Sequence, residues 1–375
     1  MLRMDDDRAV RKVVVRRPPR QRAKPRELRG QRALEGLRRT FARPEETVRT
    51  FGHSLAPWRL AAIGLIIVLV LTFSWVRLFH VGPPSVEDLR RAAGVDEWPT
   101  LEIGVKNDQP GIAYYDENTK IWSGFDIQIA YMIAEDLGFT REQVLFYGIE
   151  SEDRARMEAT DLIGNPQPVK LVIASYSITP TREAMPNVMF SKSYLHTEQS
   201  VLTLAGHRKV TSLEDFKDQT VCSLSSSTSA SEVEKAGGTL KRVNRVSECL
   251  PMLDSGEVDA ISTDAAILGG FKAQNRVKYD HWDLGLDVTE AYGVSVGNNA
   301  ALRDLVNVTL YRSYADPKDH RWEDAYESTI KPELPLQKNL GVNAAGLPLT
   351  PLARPNQPVI ERPRVRELPW ENLTP

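Results

Sequence analysis

Ser175, Ser177, Thr179 and Arg182 follow directly on the apolar run Leu171–Val172–Ile173, in the stretch ASYSITPTR. Thr179-Pro180 has the form of a helix cap followed by proline at the first helical position. A strand end carrying hydroxyls, free backbone N–H groups and a guanidinium suits a carboxylate, which arginine binds through two parallel hydrogen bonds. The same residues also describe a capped helix with a surface arginine. A second cluster, SSST at 225–228, brings Ser227 and Thr228 to another junction of strand and helix. It is either an anion grip or an ordinary serine-rich turn. The third is Thr263-Asp264 after the strand-like VDAIS, where an aspartate is a helix cap or a partner for an ammonium group. An arginine for a carboxylate and an aspartate for an ammonium together match the part shared by every α-amino acid.

The elements that must position these groups alternate between two periodicities. LEIGVKND (101–108), EQVLFYGI and VKLVIASYSI read as strands, and SGFDIQIAYMIAEDLGF (123–139) reads as a helix with Asp126 as its N-cap and Gly138 as its stop. The pattern restarts with TVCSL, the helix after SSST, and SECLPMLDSGEVDAISTDAAILGGF. Strands alternating with helices predict an α/β fold with a largely parallel sheet, here in two lobes. Lobe 1 is expected over 99–198 and again over 288–333, and lobe 2 over 199–287. In such sheets ligands sit beyond the carboxyl ends of strands, where all three clusters fall.

Charge divides the chain further. Residues 1–59 hold seventeen Lys/Arg against seven Asp/Glu, a balance of +10, so with a net charge of −2 overall the remainder carries −12. Between them LAAIGLIIVLVLTFSWV (60–76) is free of charge, bounded by Arg59 and Arg77 and flanked by Trp58 and Trp75. Arginines that snorkel and interfacial tryptophans suit a bilayer helix. A buried core helix and a cleaved signal peptide are the rivals; no A-x-A site follows, and the basic region is long for a signal peptide. We expect a transmembrane signal anchor over 60–81, a linker over 82–98, a basic cytoplasmic tail over 1–59, and the rest outside the cell. The tail is either a basic amphipathic helix on the inner leaflet or an orienting segment, and no nucleic-acid-binding module accompanies it. Residues 334–375 read as a Pro-rich C-terminal appendage. The two cysteines, Cys222 and Cys249, lie in the outer part, where a pair is more often a disulfide than two thiols. No second cysteine pair suits zinc and the six histidines are scattered, so neither metal nor cofactor is expected.

The ordered motifs IGVKNDQPG, SGFDIQIAYMIAEDLG, ASYSITPTR with MFSKSYL, VCSLSSST, SGEVDAISTDAAILGGF and AYGVSVG resemble the family 3 extracellular solute-binding proteins over about residues 99–332. That resemblance implies the type II periplasmic-binding-protein fold, two lobes closing about a hinge on an amino acid. The VKNDQPG run and the two cysteines resemble the branch that binds glutamate, aspartate or glutamine. Carried over, it implies Arg182 for the ligand α-carboxylate with help from Ser177 and Thr228, Asp264 for the α-amino group, and further hydrogen bonds from Ser175. Lys106, Asp108, Gln109 and Arg154 would set side-chain selectivity, and Cys222 would pair with Cys249. Gln128, Lys170, Ser193 and Ser226 depart from the family pattern. Of these only Ser226 falls at the pocket, where the family has glycine.

The expected function is capture of a polar amino acid for the permease of an ABC importer, by a monomer without catalytic residues. A sensor reporting the same ligand to a membrane signalling partner is the alternative. A dehydratase acting on a prephenate-like acid is a remote third, since no histidine falls in the three clusters.

Overall fold

The computed structural model describes residues 56–79, 84–284 and 290–338. Most of the expected basic tail, and the C-terminal appendage beyond residue 338, lie outside the described residues. The chain divides into two units, residues 1–80 and residues 81–375.

Within the first unit, α1 (Ala56–Phe79) is a helix of 24 residues. At about 1.5 Å per residue it is about 36 Å long, more than the roughly 30 Å of a bilayer's hydrocarbon core. Its window Trp58–Val76 has a mean hydropathy of 2.2, and none of it is buried.

The second unit opens within the expected linker. Ser85 caps α2 (Val86–Ala93) and forms a reciprocal capping box with Asp88, while Gly94 closes the helix with φ 77°. Leu89, Ala93 and Val95 are buried in the main core, so residues 86–97 belong to the domain and are not a linker. The reason is local: the cap fixes the start, and apolar residues four apart fall on one face.

Lobe 1 then runs β1 (Leu101–Val105), β2 (Asp108–Gln109), β3 (Ala113–Asp116), β4 (Ile121–Ser123), α3 (Phe125–Asp136), β5 (Val144–Gly148), β6 (Glu158–Thr160), β7 (Pro166–Pro168), β8 (Leu171–Ile173), α4 (Pro180–Glu183) and β9 (Phe190–Thr197). Lobe 2 follows with β10 (Gln199–Leu204), β11 (Thr220–Leu224), α5 (Thr228–Lys235), β12 (Thr239–Val243), α6 (Cys249–Ser255), β13 (Ala260–Asp264), α7 (Ala265–Gln274) and β14 (Tyr279–Asp283). The chain returns through β15 (Glu290–Ser295), α8 (Ala300–Ala315) and α9 (Arg321–Thr329), and ends its described part at β16 (Gln337–Lys338).

Lobe 1 holds a sheet of order β7-β6-β5-β1-β8-β15-β9, and lobe 2 one of order β12-β11-β13-β10-β14-β16. Among the described residues, parallel pairing is confined to β5-β1-β8, β12-β11-β13 and the β14-β16 edge. The remaining strands pair antiparallel, so the sheets are mixed where a largely parallel one was expected. The physical reason is the crossing between lobes: β9 and β15 leave and re-enter lobe 1 side by side as a ribbon, with no helical crossover to force parallel pairing. Strand side chains alternate between cores, with Val201, Val221 and Ala260 in one cluster and Leu202, Cys222 and Ile261 in another.

Two further expectations shift. Asp126 is not the cap of α3: Gly124, at φ 118°, holds that position, and Asp126 is wholly buried in the first turn. Residues 331–338, spanning the boundary expected at 333/334, fold back so that Gln337 pairs beside His281 on the edge of the lobe 2 sheet.

Candidate amino-acid-binding site

The three clusters converge from both lobes. After β8 the chain turns at Ser175, whose φ of 47° lies in the left-handed region that a non-glycine residue rarely adopts. The turn is held in place: Asp126 accepts the Ser175 N–H at 3.0 Å and the Tyr194 hydroxyl at 2.9 Å, and the Ser175 hydroxyl donates to Gln109 Oε1 at 2.8 Å. Burial pushes the Asp126 carboxyl up to about 7. Thr179 caps α4 as expected, accepting the Arg182 N–H at 3.2 Å.

Arg182 is nevertheless not a surface arginine. It is buried, stacked 5.0 Å from the Tyr176 ring, with Nη1 donating to Ser177 O at 2.8 Å and Nη2 to Ser226 O of lobe 2 at 3.0 Å. Arg154 lies against the same Tyr176 ring, at 4.3 Å. Its donors go to the carbonyls of Ser151, Ala174 and Ser175, and burial together with the Arg182 charge pulls its pKa down to about 9.

From lobe 2, Ser227 caps α5 by accepting the Ala230 N–H, and Thr228 opens the helix. Asp264 occupies the cap position of α7, but its side chain makes no capping bond. Its Oδ1 accepts from the Ser229 hydroxyl at 3.3 Å, and its Oδ2 accepts from the Tyr292 hydroxyl of lobe 1. Burial, reinforced by Glu290, pushes this carboxyl up to about 7. An ammonium group placed beside it would reverse that cost.

These groups converge on a small cavity of about 10 Å³, lined by Lys106, Gln109, Arg154, Ser175, Ser177, Arg182, Leu224, Ser227, Thr228, Thr263, Asp264 and Ile267. That is about the room one water molecule needs, so the lobes stand shut on their own side chains and a small ligand enters only when they part. Two lining donors are unused: Lys106 Nζ and Gln109 Nε2 are buried and have no hydrogen-bond partner. Burial, followed by the Arg154 charge, pulls Lys106 down to about 8. The lining thus holds three cations against the single acid Asp264, which favours a ligand with more negative than positive charge.

Every expected site residue except one lines this cavity. Asp108 does not; its carboxylate accepts the Ser247 N–H of lobe 2 at 3.1 Å. Sequence reasoning missed Tyr176, whose ring packs against both guanidiniums, and Tyr292, which reaches Asp264 across the cleft. Both sit inside the quoted motifs, but a tyrosine in a strand reads as core. Cys222 and Cys249 are joined in a disulfide between β11 and the start of α6.

Residues 101–326 match the family model for bacterial extracellular solute-binding proteins, family 3. The chain belongs to that family. Among its curated relatives is the glutamate-binding protein GluB of Corynebacterium efficiens, 31% identical in an alignment of 234 residues that covers 59% of this chain and 76% of the relative. The glutamine-binding protein GlnH of Bacillus subtilis is 29% identical over 244 residues, 64% of this chain and 84% of the relative. Among solved structures, a receptor for L-cysteine from Neisseria gonorrhoeae superposes with a TM-score of 0.56 at 26% identity, covering 64% of this chain and 94% of that one. The fold is the type II periplasmic amino-acid-binding fold. The names of these three proteins record binding of glutamate, glutamine and L-cysteine, while a membrane-bound lytic murein transglycosylase F of Pseudomonas fluorescens is 24% identical over 260 residues.

Proposed function

We propose that this protein is a membrane-anchored extracellular receptor that closes on an acidic amino acid and delivers it to an ABC importer. In this reading Arg182, with Ser177 and Thr228, holds the α-carboxylate and Asp264 holds the α-ammonium. Ser175, Ser227 and Gln109 complete the hydrogen bonding. Lys106, backed by Arg154, meets the side-chain carboxylate. One observation carries the choice of an acidic ligand: the buried ammonium of Lys106 lines the cavity without a hydrogen-bond partner. A buried charge of this kind is costly until a counter-charge arrives. Glutamine would bring only a neutral amide, whereas glutamate or aspartate brings the missing anion. The anchor reading is supported by the length and apolarity of α1 and by the basic residues before it.

Calorimetric titration of the full-length protein in detergent with a panel of amino acids tests this. L-glutamate or L-aspartate should bind more tightly than L-glutamine, and failure of all three removes the proposal. Arg182→Ala should weaken the bound acid by about 2–5 kcal/mol, since a desolvated carboxylate loses its charged partner. Near-normal affinity would mean that the carboxylate lies elsewhere. The basic residues ahead of α1 also favour a second reading, in which the closed form is reported to a membrane signalling protein. Co-purification of a permease or of a signalling protein separates the two.

A further inference from the structure

Among the described residues, two hydrogen bonds join the lobes at the crossing strands, from Ala265 N–H to Glu198 O and from Ala266 N–H to the Thr197 hydroxyl, and four further contacts lie across the cleft and divide into two kinds. Arg182 to Ser226 and Tyr292 to Asp264 involve side chains that line the cavity. Arg245 to Glu150 and Ser247 to Asp108 do not: none of these four residues lines it. Glu150 follows β5 and Asp108 lies in β2, both in lobe 1, while Arg245 and Ser247 follow β12 in lobe 2. Arg245 Nε donates to Glu150 Oε1 at 2.7 Å, beside the Ser247 N–H bond to Asp108 at 3.1 Å. Both bonds join segments of opposite lobes away from the crossing strands, so each breaks when an opening motion separates those segments.

We propose that the Glu150–Arg245 ion pair and the Asp108–Ser247 hydrogen bond form a closure latch outside the ligand cavity. The latch sets how long the cleft stays shut, and it leaves the Lys106 ammonium free for the ligand. The second half of this rests on the reading of Lys106 as a ligand contact; the first half does not.

Lys106, Asp108 and Glu150 all belong to lobe 1, and both carboxylates act electrostatically on the Lys106 ammonium, as do the positive charges of Arg154 and Arg245. When the lobes meet, Arg245 takes one oxygen of Glu150 and the Ser247 N–H takes one of Asp108. The other Glu150 oxygen is buried and has no hydrogen-bond partner. Lys106 Nζ likewise makes no hydrogen bond in this closed form. Closure therefore commits both carboxylates to lobe 2 and leaves the ammonium turned toward the cavity. Asp108 thereby acquires a role different from the ligand contact expected of it: it positions and does not touch the amino acid. The ion pair is partly solvated, with side chains 46% and 29% exposed, so the latch biases closure without locking it.

The test measures the distance between the lobes in the full-length protein in detergent. The chain has no free cysteine, so spin labels attach only at introduced sites, Glu117→Cys on lobe 1 and Lys235→Cys on lobe 2. Without ligand, Glu150→Gln, Arg245→Met and Asp108→Asn should each lower the closed-to-open ratio by about twofold to fivefold. The charge-exchanged pair Glu150→Arg with Arg245→Glu should recover at least half of that loss, which a merely misfolded variant would not do. With L-glutamate as probe, the single variants should speed release by a similar factor and leave the association rate within about twofold. A ligand-free distance distribution that none of the variants moves overturns the latch, whatever the protein binds. Failure of the wild type to bind L-glutamate refutes the proposed ligand and leaves the distance measurement to decide the latch.

Discussion

Replacing Lys106 by methionine should make the ligand-free protein more stable and a poorer receptor at once. Lys106 is wholly buried, and its pKa falls from 10.5 to about 8. At about 1.4 kcal/mol per pH unit, holding it charged costs the folded state about 3 kcal/mol. At pH 7 both folded and unfolded chains carry the proton, so the whole cost is present. As pH rises from 8 toward 10.5 the folded chain gives up its proton while the unfolded chain keeps it, and the cost disappears. Methionine matches the length of the lysine stem and needs no counter-charge, so Lys106→Met removes the cost at every pH. For a domain of this size about 2–4 °C of melting temperature accompanies each kcal/mol. A rise of about 5 °C at pH 7 therefore remains even if relaxation already offsets half of the cost in the wild type. The gap between the two proteins should narrow by pH 9.5. The same substitution leaves a ligand carboxylate buried without its cation, costing about 2–5 kcal/mol, or upwards of about thirtyfold in affinity for L-glutamate. Thermal melts of the ligand-free proteins at the two pH values, with calorimetry at pH 7, measure both effects. A variant that melts lower than wild type, or that binds L-glutamate as well, refutes the reasoning that Lys106 is a cation awaiting its anion.

Other perturbations address closure and lobe 2. A Cβ at Gly270 in α7 would overlap the Pro110 carbonyl oxygen of lobe 1. Gly270→Ala should therefore lower ligand affinity tenfold or more, about 1.4 kcal/mol, although alanine is the better helix former; calorimetry and circular dichroism check the two halves. Replacing Cys222 and Cys249 by serine together opens a loop whose ends are 27 residues apart. Chain entropy predicts a loss of about 3–4 kcal/mol, seen as earlier unfolding in urea, with no change in which amino acid is preferred.

Much of this protein could be read along one dimension. Apolar runs and caps located β1, α3, β8, β11 and β13, and the clusters at 175–182, 225–228 and 263–264 marked three strand ends that the fold brings together. Those signals are local, because a cap or a strand end is specified by neighbours within a few residues. The capping box at Ser85–Asp88 is equally local, but it lies in a short stretch that reads as a linker because only one turn of apolar spacing follows it. Side-chain destinations were not local. Asp126 and Asp264 both read as helix caps, yet one braces the Ser175 turn and the other reaches Tyr292, and each partner lies far along the chain. Asp108 and Lys106 stand two positions apart and read alike as pocket residues. Only the meeting of the lobes turned the first toward Ser247 and left the second facing the cavity without a hydrogen-bond partner, because a buried charge's role depends on which opposite charge the fold brings within reach.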